Sequence, residues 1–265
     1  PYYTLENDNI RLRVGAHVDW QSANGSGIKA APDVKLDYTF ADTYVAYLHA
    51  TGGTRLNDFR QQNEESPYWG VINQMRTSYT PADLQVGFKA SPLPGLGFHL
   101  FGGYRVTKDE IFHLPGITDT DFPYCYSLLM QEKAKVGYGG IKAAYGYKDI
   151  FDFSVGGTYY GWNVKDEAKV LLYLKPEFVL DASARAKVYD EFWISAAYRY
   201  EGRVKAGELE KADAINNLSL SAGYEFFNSL NVFVRFNNLL NQDYITEAGY
   251  PVQGFNAMAG VSFRF

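Results

Sequence analysis

The sequence predicts an all-β protein: an antiparallel transmembrane β-barrel, with about twelve strands in this chain and a single domain over residues 1–265. Three observations carry that prediction. Apolar and polar residues alternate with period two in segment after segment, and the connections between segments are alternately short and long. Aromatic residues, 17% of the chain with 22 Tyr and 18 Phe, gather near the segment ends. There is no run of about 18 apolar residues, so a transmembrane helix is not expected. A spanning β-strand needs only about ten alternating residues, which suits a hydrophobic content of 46% and a mean hydropathy of −0.27.

Residues 10–20 set Ile10, Leu12, Val14, Ala16, Val18 and Trp20 against Arg11, Arg13, Gly15, His17 and Asp19. Val34, Leu36, Tyr38 and Phe40 repeat the pattern, and a turn at Ala41-Asp42-Thr43 leads into Tyr44, Ala46, Leu48 and Ala50. Residues 84–90 and 98–107 form the next pair of strands around Ser91-Pro92-Leu93-Pro94-Gly95. Within 133–147 the phase changes, with Val136 and Tyr138 on one parity and Ile141, Ala143 and Tyr145 on the other. One inserted residue restores it, so a β-bulge is expected at Gly139-Gly140. Clean strands follow at 151–162, 178–187, 192–201, 217–226 and 230–236, and the last places Ala257, Ala259, Val261, Phe263 and Phe265 on one face. Short connections fall near residues 41, 92, 148, 189 and 228. The long polar ones are 21–32, 51–78, 108–130, 163–175, 203–214 and 238–254, which puts both chain ends at the short-turn rim.

Alternation alone does not say which face points inward. Width decides, because about eight strands already make a barrel interior just wide enough for side chains to fill. The apolar face is also poor core filler: Val, Leu, Ala and Gly at the strand middles, with Phe and Tyr towards both ends in two girdles. It is therefore assigned to lipid and the charged face to a wet lumen. The alternative is a soluble sandwich or lipocalin-like barrel with the faces reversed.

On that assignment Arg105, Asp152, Asp181, Arg185, Arg199, Glu201, Glu225 and Arg235 face the lumen. They either pair across strands and keep the lumen hydrated or touch a substrate. Tyr160 and Trp162, with Tyr68 and Trp69, lie towards the long-loop rim and form either a binding vestibule or loop packing. His17, His49, His99 and His113 are far apart in sequence, so neither a metal nor another cofactor is expected. No nucleotide loop or G-x-S-x-G elbow occurs, and the strand histidines sit opposite the lipid face that a membrane lipase would need, so the chain is read as no enzyme. A net charge of −5 gives no basic footprint for nucleic acid. The lone Cys125 forms no internal disulfide, and Asn24-Gly25-Ser26 is read as a turn rather than a sequon. The chain opens at Pro1 without a signal peptide, and is either processed or a piece of something longer.

The closing stretch LNVFVRFNNLLNQDYITEAGYPVQGFNAMAGVSFRF resembles the end of TonB-dependent outer-membrane receptors, through Asn237, Asn238, Leu239, Leu240, Asn241 and Tyr244, then Tyr250, Pro251 and Gly254. It departs at Phe255, where many members carry Arg. GFKASPLPGLGFHLFGGYRVTKDEIF and KPEFVLDASARAKVYDEFWISAAYRYEG also resemble hairpins of that family. The resemblance implies a Gram-negative outer-membrane location and contact with membrane lipid. It implies import of a scarce, bulky small-molecule nutrient such as an iron-siderophore, cobalamin or glycan. The TonB energy-coupling complex would act through a plug domain that these residues do not include. Phe263 and Phe265 would be the insertion signal read by the barrel assembly machinery. Such receptors have about 22 strands, so these residues are either the C-terminal part of a barrel or a reduced one. A passive porin-like channel and a non-transporting binding or structural barrel remain alternatives.

Overall fold

The computed structural model describes residues 1–22, 27–70, 75–117, 125–226, 229–247 and 249–264. Its elements are β1 (Tyr2–Glu6), β2 (Ile10–Gln21), β3 (Gly27–Phe40), β4 (Tyr44–Arg55), helix α1 (Phe59–Glu65), β5 (Ser78–Leu93), β6 (Leu96–Ile117), β7 (Cys125–Tyr147) and β8 (Phe151–Asn163). A 3-10 helix (Asp166–Leu172) follows, then β9 (Pro176–Lys187), β10 (Phe192–Arg203), β11 (Ile215–Phe226), β12 (Leu230–Asn237), β13 (Ile245–Glu247), β14 (Tyr250–Pro251) and β15 (Asn256–Phe263). β1 to β12 and then β15 form one 13-stranded sheet in which each strand pairs antiparallel with its sequence neighbour; β13 and β14 form a separate hairpin in the last long connection.

The expected strands are present, and β1 is the addition. Its sequence Tyr-Tyr-Thr-Leu-Glu carries too little alternation to be read as a strand. It pairs Tyr2 with Gly15 and Glu6 with Arg11, so Pro1 lies part-way along β2 rather than at the short-turn rim. The terminal strand does end at that rim, with Phe263 opposite Leu230. Phe265 and the turn expected at Asn24-Gly25-Ser26 lie outside the described residues.

No bulge occurs at Gly139-Gly140. β7 runs in unbroken register with β6 there, Gly139 opposite Gly102 and Gly140 opposite Phe101. The apparent phase change arises because Val136 and Tyr138 are apolar residues on the polar face. The register shifts lie elsewhere, and three of them align on adjacent strands: Thr51/Gly53 in β4, Tyr79/Ala82 in β5 and Thr107/Glu110 in β6. Beyond them β6 and β7 continue as a paired ribbon, so most of the connection expected at 108–130 is strand.

The apolar face is open rather than a sealed core. Val86 is 53%, Ile141 56% and Leu100 58% exposed, whereas Thr107, Val136 and Glu201 on the other face are buried. Towards the short turns Phe40, Tyr44 and Phe88 form a ring cluster with centroids 5.6–6.0 Å apart. Towards the long connections Phe178 and Tyr200 lie 6.3 Å apart, next to Tyr159. An apolar band between two aromatic belts suits hydrocarbon. Among the described residues no helix is long and apolar enough to cross a membrane.

The asparagines of the closing motif fold the last long connection. Asn238 and Asn241 have φ of 49° and 48°, a left-handed conformation that Asn tolerates better than most residues. The buried Asn238 Nδ2 donates to Gln242 O and Gln253 O at 2.9 and 3.2 Å, and Asn241 Oδ1 accepts from Phe255 N at 2.9 Å. A Cβ at residue 254 would crowd Asn241 Oδ1, which explains Gly254.

Candidate functional site

Strand pairing sorts the polar-face candidates into rows. Nearer the short turns, Asp152, Arg185, Ser195, Ser221 and Arg235 lie side by side across β8 to β12. Asp152 and Arg185 are directly opposed but form no ion pair. Arg185 instead stacks over Trp193 at 4.6 Å and, with Glu225, borders a cavity of about 650 Å³. Among the described residues Asp152 and Arg235 of this row, and Glu225 nearer the turns, have no side-chain ion pair, so of the two readings for the polar-face charges cross-strand pairing is not the one seen here.

Higher up the pairing is realised and becomes progressively drier. Arg199 Nη1 donates to Asp181 at 3.0 Å and Nη2 to Glu201 at 2.7 Å; Arg203 Nη1 donates to Glu201 at 2.6 Å. The ladder runs from a half-exposed Asp181 to Arg203, whose side chain is 4% exposed. Arg203 also donates to Leu174 O at 2.6 Å and Ile245 O at 2.8 Å, tying two long connections to β10.

The rim above is held by a small core of Phe112, Ala134, Ala168, Leu171, Leu172 and Ala206. Lys175 crosses it, with Nζ 4.9 Å from the Phe112 ring, 5.1 Å from Trp162, 3.7 Å from Glu110 and bonded to Ile111 O at 3.1 Å. Burial pushes the Lys175 ammonium below its usual pKa, with Glu110 and Glu65 opposing. Trp162 Nε1 donates to Pro176 O at 2.8 Å, so this indole is part of the rim packing. Tyr160 lies 6.5 Å from Tyr138 on the polar face. Tyr68 stacks on Tyr250 at 3.7 Å, and Trp69 meets Phe59 edge-on while packing on Met75, Ile111 and Leu129. Of the two readings for Tyr68 and Trp69, loop packing is the one these contacts support.

Beside Lys175 a cavity of about 150 Å³ is bordered by Glu65 of α1, His113 of β6 and Glu247 of β13. His113 Nε2 stands 3.6 Å from Glu65 and Nδ1 4.0 Å from Glu247, with Ser127 Oγ 3.3 Å away. The imidazole lies between the carboxylates, and among the described residues no group of three ligating side chains could hold a metal ion. The His113 imidazole, 3.6 Å away, lowers the Glu65 pKa, burial opposes it, and Arg55 at 2.7 Å adds to the lowering. Sequence reading missed Glu65, Glu110, Lys175 and Arg203 because they lie in or beside connections taken as plain polar loops. The apolar run Val170-Leu171-Leu172-Tyr173-Leu174 was the available signal that one loop is packed.

Lower on the polar face, aromatic rings lie flat across glycines of the neighbouring strand. Tyr47 covers Gly87 and Tyr138 covers Gly103, each where a Cβ would fall on the ring. The phenols reach beyond, Tyr47 to His99 Nε2 at 2.8 Å and Tyr138 to Asp83 Oδ1 at 2.9 Å. Rings laid along the sheet keep large side chains from projecting away from it.

The fold recurs in solved structures. The copper transporter OprC superposes with a TM-score of 0.69 at 15% identity, over 98% of this chain and 47% of that one. The siderophore receptor PirA from Acinetobacter baumannii gives 0.69 at 12%, over 98% and 44%, and the P. aeruginosa pyoverdine-bound FpvA gives 0.69 at 17%, over 99% and 37%. The fold is that of TonB-dependent receptor barrels. This chain spans less than half the length of these structures. No family model and no curated protein matches the sequence. In a barrel of this kind the apolar face meets lipid and the polar face lines the lumen.

Proposed function

We propose that this chain is barrel wall of a TonB-dependent receptor in a Gram-negative outer membrane. Its polar face would line the path of a scarce, bulky nutrient, with iron-siderophore, cobalamin and glycan as the solute classes in view. Energy would come from the TonB complex through a plug domain, and insertion would use the barrel assembly machinery. The observation that carries this reading is the tethered outer rim. Arg203, Lys175 and His113 hold several long connections together at one end of a wide polar face, an arrangement suited to capturing a solute before it enters. A passive pore needs no such capture surface, and the barrel itself carries out no covalent step.

Uptake tests it. Cells expressing the full-length protein should accumulate labelled solute only while the inner membrane is energised, and a protonophore should abolish accumulation without removing surface binding. Energy-independent flux of many small solutes with a size cut-off would instead establish a diffusion channel.

A further inference from the structure

The aligned register shifts in β4, β5 and β6 build a cleft of about 410 Å³ in the polar face. Bulges re-aim side chains and are over-represented next to active sites, and here three successive strand pairings shift at one height, with the extra residue in β5 for two of them and in β6 for the third. The arrangement is pinned. Asp109, in a left-handed conformation at φ 56°, has its carbonyl held by Ser78 Oγ at 2.6 Å and Gln131 Nε2 at 3.1 Å.

Arg105 lines this cleft directly opposite Asp83, a placement that ordinarily yields an ion pair. None forms. Asp83 accepts from the Tyr138 hydroxyl at 2.9 Å, and the other nearby carboxylates are taken too, Glu110 facing Lys175 at 3.7 Å and Glu65 bonded to Arg55 at 2.7 Å. Among the described residues Arg105 has no ion pair, hydrogen bond or ring contact, and its Nε is shut from solvent without an acceptor. Thr80 and Thr107, whose hydroxyls meet at 3.1 Å, stand on the same cleft. A partly buried guanidinium with no acceptor is costly, and a carboxylate or phosphate is the group its planar fork fits best.

We propose that Arg105, with the Thr80 and Thr107 hydroxyls, is a binding site for the acidic group, carboxylate or phosphate, of a small solute. The proposal rests on the lumenal reading of the polar face and names the chemistry of the solute that passes. Tyr138 is a positioning residue: by occupying Asp83 it keeps Arg105 free.

Calorimetric titration of the full-length protein in detergent with citrate, and separately with inorganic phosphate, at low ionic strength tests it. Saturable binding of either anion is expected, weakened about tenfold or more by Arg105→Gln and less by Arg105→Lys. Tyr138→Phe should also weaken it, because Asp83 is then released to pair with Arg105; this variant decides the matter where Arg105→Gln does not fold. Absence of binding by both anions, or affinity unchanged in Tyr138→Phe and in folded Arg105→Gln, overturns the site. The titration is independent of energy coupling. Anion binding without energised uptake therefore sinks the receptor reading alone, and uptake without anion binding sinks this one alone.

Discussion

With its side chain 4% exposed, Arg203 has to find hydrogen-bond acceptors inside the protein, and its Nη atoms find Glu201, Leu174 O and Ile245 O. Lysine cannot replace it, since a single ammonium does not span a carboxylate and two separate carbonyls in a planar fork. Arg203→Met would remove the charge and leave Glu201, itself 10% exposed, with Arg199 alone. Breaking a buried pair from one side costs about 3–5 kcal/mol. Denaturant unfolding followed by tryptophan emission should show a loss of that order, together with new trypsin cleavage in the connection containing Lys169 and Lys175. An unchanged midpoint would mean that water replaces the guanidinium and that Arg203 does not staple the loops. That Arg199 and Glu201 lie on one face was plain from alternation. The partners of Arg203 were not, because they are backbone carbonyls in distant connections, which side-chain periodicity does not report.

Helix α1 has seven residues and none of its side chains is buried, so what holds it is contact with neighbours rather than intrinsic helicity. Asp58 caps it, accepting from Gln61 N at 2.9 Å, and Glu65 anchors its far end to His113 and Arg55. Because the folded Glu65 pKa lies below its ordinary value, its stabilising share is present above the unfolded value of about 4.3 and is lost as the pH falls through the folded value. Hydrogen exchange over residues 59–65 should therefore accelerate below about pH 4.3 relative to the strands, and Glu65→Gln should exchange quickly at neutral pH as well. Exchange independent of pH in this range would show that α1 is held by something else. At this scale the strands were legible, since a face exposed to one solvent imposes a strict period of two. The bulges were not: those in β5 and β6 fall at Pro81 and Asp109 within polar, irregular stretches, while the pattern at Gly139-Gly140 came from Val136 and Tyr138 lying on the polar face. The packed rim was hidden for a related reason. Its core is assembled from isolated apolar residues of several connections, none periodic alone.

Across the whole sheet, strand direction constrains closure. Every neighbour is antiparallel and there are thirteen strands, so β1 and β15, the two edges, run the same way, both towards the short turns. Joining them directly would require one parallel pair in an otherwise antiparallel wall, at odds with the even strand number of single-chain bacterial barrels. Leaving both edges open in hydrocarbon is no better, since each unpaired backbone group there costs several kcal/mol. An antiparallel barrel containing this sheet therefore needs an odd number of additional strands; about nine would reach the 22 of the large outer-membrane transporters. Cysteine cross-linking tests this in the full-length protein. The pair Phe233→Cys and Gly260→Cys, directly opposed on β12 and β15, should form a disulfide readily. Thr4→Cys with Gly260→Cys, on the two edges, should not. Residues 1–265 placed alone in micelles should lack the compact, heat-sensitive band of a closed barrel and should associate through their edges. Efficient cross-linking between β1 and β15, with a monomeric compact band, would mean that thirteen strands close on themselves through a parallel seam, and the argument from strand parity would fail.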